Sequence, residues 1–466
     1  MLAVLVVTAC SGGRAPQPAQ PAPEPPAATA SDPAGAQAPS IAARKIPANS
    51  SAAAAVDGGP ILNPDVSGAV ELWHFWGSPV RHNALRRVIA LCQQKLPNIT
   101  VSEAVKPFGD IWTANLAAVA AGSGMPDVIV SNRPALPRDA ADGVYMSLLA
   151  WADRDNVRRE QFYNWAWDQG VYDGQIYGIP HETDVRVLFY NKTMFEQAGL
   201  DPDKPPATWA DVEKYADKLD KIGADGKIER IAFFPLWNVN ADVWQYTNDG
   251  TMMKPDGTPQ IDNPKMVETT EWIKKWVDRY GGWDKLQSFR NQFAKPDDLF
   301  MSSAVAMYAD IFGYTSQLQF YRPTVRLDTG QEARLDWGVA LLPYNTRPGT
   351  WSGGFAMSIP VGAKHPEAAW EFIKCATSSE SQVSWARDTQ AQPTNLKAAT
   401  DPSLLADPNW QIVDRALQSS TGGVYVSKYP NWTEQLMQRW ELVWRGELPP
   451  AQMLGEAQKA VEEALQ

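Results

Sequence analysis

Apolar residues recur in two alternating patterns from about residue 66 onward. Short, almost continuously apolar runs such as "GAVELWHFW", "ITVSEAV" and "PDVIVSN" predict buried strands, and the segments between them carry apolar residues three or four apart, which predicts helices. After the first run, Ser78 and Pro79 suit the N-cap and first position of a helix whose apolar face holds Leu85, Val88 and Ile89. This strand and helix order predicts parallel sheets covered by helices on both faces.

The second half of the chain repeats the alternation with different segment lengths. Thr208 and Asp211 have the spacing of a capping box, and Pro264 and Pro366 stand at the starts of two further predicted helices. The runs "RIAFFPLW", "AVAMYAD", "LDWGVALLPY" and "GGFAMSIP" predict strands. A chain of 466 residues exceeds one ordinary domain, so we expect two lobes.

The charge balance narrows the class of partner. The formal net charge of -11 argues against nucleic acid or an anionic membrane surface, because phosphates attract clustered lysine and arginine. No segment after the N-terminus has the roughly 18–20 consecutive apolar residues of a membrane-spanning helix. The chain contains 20 tryptophans, which is more than usual. They could serve core packing alone or also bind a ligand.

The N-terminal segment "MLAVLVVTAC" resembles the end of a bacterial lipoprotein signal peptide. This resemblance implies cleavage before Cys10 and a lipid on its thiol, although the apolar run is short and has no positive residues before it; the alternative is a chance cysteine in a disordered tail. We therefore expect residues 1–9 to be a signal peptide remnant. Residues 10–65 are rich in Pro, Ala, Ser and Gly, which predicts a disordered tether.

The remaining cysteines and the histidines suggest no metal or redox chemistry. Cys92 and Cys375 both fall on predicted helix faces, and we expect two free buried thiols, with a disulfide as the alternative for an exported protein. The four histidines are scattered along the chain without metal-ligand spacing. We predict no metal site and no cofactor.

Several segments resemble, in the same order, the carbohydrate-binding proteins of ABC transporters. The longest is "YGIPHETDVRVLFYNKTMFEQAGLDPDKPPATWADVEKYADKL" at 177–219. "AVAMYADIFGY" at 304–314, "WSGGFAMSIPVGAKHPEAAWEFIKCATS" at 351–378 and "RGELPPAQMLGEAQKAVEEAL" at 445–465 follow. Each motif alone is weak, but together they cover nearly the whole chain from residue 66.

The resemblance implies an α/β fold of the two-lobe periplasmic-binding-protein type, as in maltose-binding protein. Each lobe would be a mostly parallel sheet flanked by helices, with a hinge between the lobes and the ligand in the cleft. The expected lobes are residues 66–183 with 340–395, and residues 186–336 with 397–466. The expected passages between lobes lie near Thr183–Val185, Trp337–Val339 and Thr394–Lys397.

Sugars need flat rings against their C–H faces and planar polar groups for their hydroxyls. Ligands of open α/β sheets lie beyond the carboxyl ends of strands, so most candidates stand at predicted strand ends or at the first passage. Trp351 stands beside Gly353 and Gly354, whose amides could approach a ligand, and Tyr429 could supply a cleft wall from the last segment. The candidates are Trp73, Trp76, Asn132, Asp184, Trp237, Asn238, Trp244, Asp310, Phe312, Trp351, Gly353, Gly354 and Tyr429. Strand alternation places Trp73 and Trp76 on opposite faces, and we expect Trp76 to meet the ligand.

Asp184 matches a position at which maltose-type binding proteins have a ligand-contacting acid; the alternative is a structural ion pair with Arg186. The predicted function is a monomeric, lipid-anchored, extracytoplasmic binding protein that delivers a sugar or oligosaccharide to an ABC permease, without enzymatic activity. One alternative keeps the fold but binds glycerol-phosphate or another non-sugar solute, for which Arg133, Arg186 and Arg387 are the hints. Another is a carbohydrate-active hydrolase with paired carboxylates.

Overall fold

Two mixed β-sheets form the centres of two lobes. The computed structural model describes residues 58–254, 258–293, 298–327, 329–422 and 432–465. The six strands of the first sheet, in spatial order, are Gln392–Pro393, Ile179–Thr183, Gly354–Ser358, Val128–Asn132, Gly68–His74 and Ile99–Val105. The five strands of the second sheet, in spatial order, are Trp337–Ala340, Arg186–Asn191, Val305–Ile311, Ile228–Phe233 and Lys221–Ile222.

Most strands of each sheet run in the same direction. In the first sheet, Gly68–His74 pairs in parallel with both Ile99–Val105 and Val128–Asn132. Gly354–Ser358 runs antiparallel to its two neighbours, so Ile179–Thr183 points the same way as the parallel strands. The carboxyl ends of these four strands therefore meet at one edge of the sheet, where polar and aromatic side chains can converge.

The chain passes directly from the first sheet to the second. Only Asp184 and Val185 separate the strand that ends at Thr183 from the strand that begins at Arg186. The predicted second passage near Trp337–Val339 is wrong, because this segment pairs with Arg186–Asn191 inside the second sheet. That passage lies instead between Ala340 and Gly354, and the chain leaves the first sheet again after Pro393.

Helices cover the sheets, and three pairs of short strands lie in the connecting segments. The α-helices are Pro79–Lys95, Asp110–Ala121, Leu136–Ala141, Leu149–Arg154, Asn164–Asp168, Lys192–Gln197, Trp209–Leu219, Ala241–Trp244, Pro264–Arg279, Trp283–Arg290, Tyr314–Tyr321, Pro366–Ala376, Ser379–Thr389, Leu396–Ala399, Pro402–Leu405, Pro408–Gln418, Glu434–Trp444 and Pro450–Leu465. The 3-10 helices are Arg133–Ala135, Arg159–Gln161 and Gln245–Asn248. The paired short strands are Val171–Tyr172 with Gln175–Ile176, Thr324–Arg326 with Glu332–Arg334, and Thr350–Trp351 with Ser420–Thr421.

Local signals in the sequence account for several helix starts. Ser78 caps the first helix by accepting a hydrogen bond from the Arg81 amide, and Pro79 follows at the first helical position, as predicted. Thr208 and Asp211 form the predicted capping box. These contacts satisfy amides that have no partner inside a helix and so fix where each helix begins.

Each lobe has its own hydrophobic core. In the first lobe, Val70, Leu72 and Trp76 pack on the face covered by the first helix, whereas Trp73 packs on the opposite face with Ile129. The second lobe buries its sheet in one large cluster that includes the helix Pro264–Arg279. Among the described residues, no helix has both the length and the apolar character that crossing a membrane requires.

Cys92 and Cys375 form a disulfide, so the prediction of two free thiols is wrong. Cys92 lies in the helix Pro79–Lys95 and Cys375 in the helix Pro366–Ala376, and both helices cover the same face of the first sheet. Their Cα atoms are 5.7 Å apart, within the usual range for a disulfide. The two cysteines are 283 residues apart in sequence, so only the long-range topology brings them together.

The segment that precedes the first strand is fixed on the first lobe. The ammonium group of Lys374 is fully buried and donates hydrogen bonds to Ile61 O at 2.5 Å and to Asp155 Oδ2 at 2.7 Å. Glu371 accepts from Lys374 at 2.8 Å and from the Asn63 amide at 2.9 Å. A buried lysine is stable here because two carboxylates and a carbonyl compensate its charge.

Candidate ligand-binding site

Two sheet edges meet where the chain passes between the lobes. The first edge contains the ends of the strands at His74, Val105, Asn132 and Thr183. The second edge contains Arg186 and Ile311, which are paired in the antiparallel register of the second sheet. Because only two residues join Thr183 to Arg186, side chains from both edges border one shared region, which we call the interlobe edge.

The first lobe presents a group of aromatic rings at this edge, which we call the aromatic cluster. It consists of Phe75, Phe108, Trp112 and Phe355. The ring centroid of Phe75 lies 4.6 Å from that of Phe355 and 5.1 Å from that of Phe108, and Trp112 stacks parallel to Phe355 at 6.3 Å. Phe108 is 66% exposed, so the cluster offers an open apolar surface.

The aromatic cluster was not among the site residues predicted from the sequence. Phe75 stands inside the first aromatic run, between Trp73 and Trp76, and Phe108 follows the second strand in the segment "KPFGDIW". An aromatic residue just beyond a strand end was the available signal. Which strand ends would lie side by side depends on the sheet order, which local patterns do not reveal.

Asp184 is held between the two lobes by defined contacts. Its Oδ1 accepts a hydrogen bond from the Gly353 amide at 3.0 Å and forms an ion pair with Arg186. The Arg186 guanidinium in turn lies 4.3 Å from the ring centroid of Trp351, a cation–π contact. Asp184 therefore makes the ion pair that the sequence analysis held open as its alternative, and its partly exposed carboxylate still has lone pairs to accept from a ligand.

Gly353 and Gly354 hold strands together at the interlobe edge. The Gly353 carbonyl accepts from Thr183 Oγ1 at 2.8 Å and from the guanidinium of the buried Arg133. Gly354 has a φ of +118°, and a Cβ there would lie 2.4 Å from the Glu182 carbonyl. The Gly353 amide donates to Asp184.

Arg133 is a charged residue enclosed at the same edge. Its Nη2 donates to Thr183 Oγ1 at 3.0 Å, while Nε and Nη1 are buried without a hydrogen-bond partner among the described residues. Burial lowers the pKa of Arg133 to about 9, and the charges of Asp184 and Glu182 oppose this shift. Its charge is thus balanced by nearby acids.

The second lobe contributes a polar group at its edge. Asn238 is exposed, and its Nδ2 donates to Tyr308 Oη at 2.6 Å and to Asp310 Oδ2 at 2.8 Å. Asp310 also accepts from the Ile311 amide at 2.7 Å. Burial and the charge of Asp310 raise the pKa of Tyr308, which keeps its hydroxyl neutral. The amide of Asn238, the hydroxyl of Tyr308 and the carboxylate of Asp310 therefore form one hydrogen-bonded group. Asn238 and Asp310 were both candidates from the sequence.

Asp242, which the sequence analysis did not select, has an unusual environment near Arg186. Its Oδ1 is buried without a hydrogen-bond partner among the described residues. Burial raises the pKa of Asp242 to about 6, and the charge of Arg186 acts in the opposite direction. A carboxyl group with this pKa changes its charge near neutral pH.

The structure places most of the predicted aromatic candidates in the cores. Trp76 is only 1% exposed and packs against Trp385 and His181, which contradicts the expectation that it meets the ligand. The other candidates found in hydrophobic clusters are Trp73, Trp237, Trp244 and Phe312. Their rings are large enough to fill the space between sheet and helices, so a position at a strand end did not ensure exposure.

The remaining candidates divide into two groups. Asn132 and Trp351 are partly exposed at the interlobe edge. Tyr429 and the proposed lipidation site Cys10 lie outside the described residues.

Two lobes joined by several passages of one chain, with aromatic and polar groups at the strand ends beside the first passage, are typical of proteins that bind a small ligand between their lobes. The sequence profile of the family described as "Bacterial extracellular solute-binding protein" matches residues 88–411, and the chain belongs to this family.

Known relatives agree with this assignment. The sn-glycerol-3-phosphate-binding periplasmic protein UgpB of Brucella melitensis is 27% identical over 244 residues, which are 48% of this chain and 51% of UgpB. The chain spans about half the length of the first curated relatives that it matches, 53% in the case of a binding protein of Brucella abortus.

Solved structures match over more of the chain. CpMnBP1 with mannotriose bound is 25% identical, with a TM-score of 0.71 over 84% of this chain and 99% of that one. The sugar-binding protein MalE of Xanthomonas citri is 19% identical, with a TM-score of 0.72 over 85% of this chain and 97% of MalE, and shares the fold. The fold is thus the two-lobe periplasmic-binding-protein fold of the maltose-binding type, as predicted.

Proposed function

We propose that the chain is the solute-binding component of an ABC importer and binds a sugar or oligosaccharide between its lobes. The observation that carries this proposal is the pair of groups at the strand ends of the two lobes: the aromatic cluster, with its exposed Phe108, on the first, and the ordered polar group of Asn238, Tyr308 and Asp310 on the second. Aromatic rings stack on the C–H face of a sugar, and amide and carboxylate groups bind its hydroxyls. Relatives named for mannotriose and sugar binding support the carbohydrate class.

Delivery to the permease requires closure around the ligand. The proposed lobes are residues 66–183 with 340–395 and residues 186–336 with 397–466, except that the strand Trp337–Ala340 joins the second lobe. The Asp184–Arg186 ion pair and the Gly353 hydrogen bond lie at the passages and act as the hinge. A ligand that touches both lobes favours the closed state by its additional contacts there.

Glycerol-phosphate is the second candidate, because UgpB relatives are named for it. A phosphate needs arginine donors that are free to bind it. Arg186 is engaged by Asp184 and Trp351, and Arg133 is enclosed with Asp184 and Glu182 nearby. Arg387 is a surface residue that donates to Ser403 Oγ at 3.2 Å. Because these arginines are already engaged, we rank a phosphate ligand below a neutral sugar.

The proposed protein has no catalytic role. Asp184, at the first passage between the lobes, is paired with Arg186 and is therefore not free to serve as one of the two carboxyl groups that glycoside hydrolysis needs. A turnover assay that detects reducing sugars tests this statement: product released in proportion to enzyme concentration would overturn it.

The remaining features of the proposal concern location and assembly. We propose that Cys10 is lipidated, that residues 10–65 are a tether to the cell membrane, and that the folded part is an extracytoplasmic monomer. Mass spectrometry of the N-terminal peptide from native membranes checks the lipid on Cys10. A Cys10→Ala variant released into the soluble fraction supports the anchor, and unchanged membrane retention contradicts it.

The ligand class is tested by titration with a panel of mono- and oligosaccharides and with glycerol-phosphate. Tryptophan fluorescence and thermal shift report binding, since a ligand of the folded state raises its apparent stability. A saccharide affinity that Phe108→Ala weakens about tenfold or more supports the proposal. Phe320→Ala is the control, because Phe320 is also an exposed phenylalanine, at 78%, outside the aromatic cluster. A response to glycerol-phosphate alone would contradict the sugar and favour glycerol-phosphate as the ligand.

A further inference from the structure

Three side chains with metal-binding atoms converge beside the first strand. His74 ends the strand Gly68–His74, His82 lies in the first turn of the following helix, and Glu103 lies on the neighbouring strand, where its pairing partner is Leu72. One ligand atom from each of the three lies within 4.8 Å of the others. The histidines looked scattered in the sequence, and the adjacency of strand, helix and strand brings two of them together.

Two atoms of this group have no hydrogen-bond partner among the described residues. His74 is fully buried, and its Nε2 lies 3.6 Å from Glu103 Oε2, too far for a good hydrogen bond. Both atoms are buried and unpartnered. Buried polar atoms without a partner are costly and uncommon, so this pair calls for a ligand between them.

We propose that His74, His82 and Glu103 form a binding site for a divalent transition-metal ion of the zinc type. Two imidazoles and one carboxylate are a ligand set that zinc accepts, and the fourth position is left to water. Imidazole ligands select against Mg²⁺ and Ca²⁺, which prefer oxygen. The three side chains are not members of the aromatic cluster, although His74 ends its strand at the interlobe edge.

The access to the site is open enough for a metal ion to enter. The side chains of His82 and Glu103 are partly exposed, and His82 Nε2 already lies 2.9 Å from Glu103 Oε1. A metal ion between the three side chains would replace the direct contact of His82 with Glu103 and would give His74 Nε2 a partner. Its bonds to these side chains would be about 2.0–2.2 Å long.

Arg86 competes with the metal for Glu103. Its Nε donates to Glu103 Oε1 at 2.6 Å, but its side chain is 61% exposed and can swing into solvent. Removing Arg86 should therefore strengthen metal binding. If Glu103 served only as a structural partner of Arg86, removing Arg86 would bring no such gain.

Metal binding at His74 should also affect the backbone amide of Trp76, because the two share a hydrogen bond. His74 Nδ1 accepts a hydrogen bond from the Trp76 amide at 3.2 Å, so the proton of the neutral ring is on Nε2. Coordination through Nε2 moves this proton to Nδ1 and removes the acceptor of the Trp76 amide. We therefore expect metal binding to shift the backbone amide signal of Trp76.

The test is zinc titration of the tag-free full chain by calorimetry, after chelator treatment and dialysis. The expected result is one Zn²⁺ per chain, no response to Mg²⁺ or Ca²⁺, and anomalous scattering at the zinc edge between the three side chains. His82→Gln and Glu103→Gln should each weaken the affinity at least about tenfold, as loss of even outer-shell partners does. Arg86→Gln should strengthen it.

His365→Gln is the matched control, because His365 also lies 3.3 Å from a carboxylate, that of Asp127, but has no third ligand nearby among the described residues. Its zinc affinity should equal that of the wild type. Binding that survives both His82→Gln and Glu103→Gln, or no binding in the wild-type chain, overturns the proposal. His82 and Glu103 are partly exposed, so the circular dichroism of both variants should show an intact fold.

Discussion

The indole rings of Trp76 and Trp385 pack with their centroids 4.4 Å apart. Trp385 also donates a hydrogen bond from Nε1 to Glu182 at 2.6 Å, and His181 lies against both rings. This contact joins the end of the first strand to the helix Ser379–Thr389. Trp76 is therefore part of the packing of the first lobe.

The Trp76→Ala variant should lose stability. Deletion of a buried tryptophan leaves a cavity and costs about 3–5 kcal/mol in the free energy of unfolding. Urea denaturation followed by circular dichroism measures this loss, and the folded variant should bind sugar nearly as well as the wild type. Unchanged stability with strongly weakened binding would return Trp76 to the ligand site.

The Phe108→Ala variant should show the opposite pattern. Phe108 is mostly exposed, so the free energy of unfolding should change by less than about 0.5 kcal/mol. Burial of one aromatic ring under a ligand contributes about 1.5–3 kcal/mol, so the sugar affinity should fall about tenfold or more. Calorimetric titration checks the affinity against Phe320→Ala, and equal affinities of the two variants would exclude the aromatic cluster from the site.

Loss of the disulfide should destabilise the protein. The Cys92→Ala, Cys375→Ala double variant should lose about 2–5 kcal/mol relative to the oxidised wild type. In urea denaturation, a reducing agent should lower the free energy of unfolding of the wild type by the same amount. It should have no effect on the double variant. Alkylation of two thiols in the unreduced, denatured wild-type chain would contradict the disulfide.

Asp242 should make stability fall as the pH rises. Its pKa in the folded state is about 6, above the usual 3.8, so between these values the folded state binds more protons than the unfolded state. The penalty is absent below about pH 4 and complete above about pH 6, where it amounts to at most about 3 kcal/mol.

The Asp242→Asn variant removes this penalty. Its stability should exceed that of the wild type at pH 7–8, and the difference should vanish near pH 4 when both are measured by urea denaturation. Asp249→Asn is a control, because Asp249 lies on the surface in an ion pair with Arg347. A constant difference between Asp242→Asn and wild type over this pH range would contradict the shifted pKa.

Local signals in the sequence predicted much of the fold. The cap at Ser78 and the capping box at Thr208 depend on neighbouring residues only, and both are confirmed. Strand alternation also predicted that Trp73 and Trp76 lie on opposite faces of the sheet, as they do. The helix Asp110–Ala121 follows a simple apolar pattern less closely, since its Leu116 is exposed.

The site was harder to predict because it depends on distant parts of the chain. The first sequence run explained why Trp76 stands near a strand end, but its burial depends on Trp385, more than 300 residues away. The same applies to Cys92 and Cys375, which meet only after the helices pack. Asn238 and Asp310 were both candidates near predicted strand ends, and the structure joins them by a hydrogen bond; their role in ligand binding stays a prediction.

The buried Lys374 has a mechanical consequence. Its hydrogen bond to Ile61, together with the bond from Asn63 to Glu371, ties the chain that follows residue 58 to the first lobe. Tension applied through the preceding residues therefore enters the first lobe and bypasses the interlobe edge. In the proposed closure, the first lobe would therefore be the lobe that the preceding chain holds, and the second lobe would move relative to it.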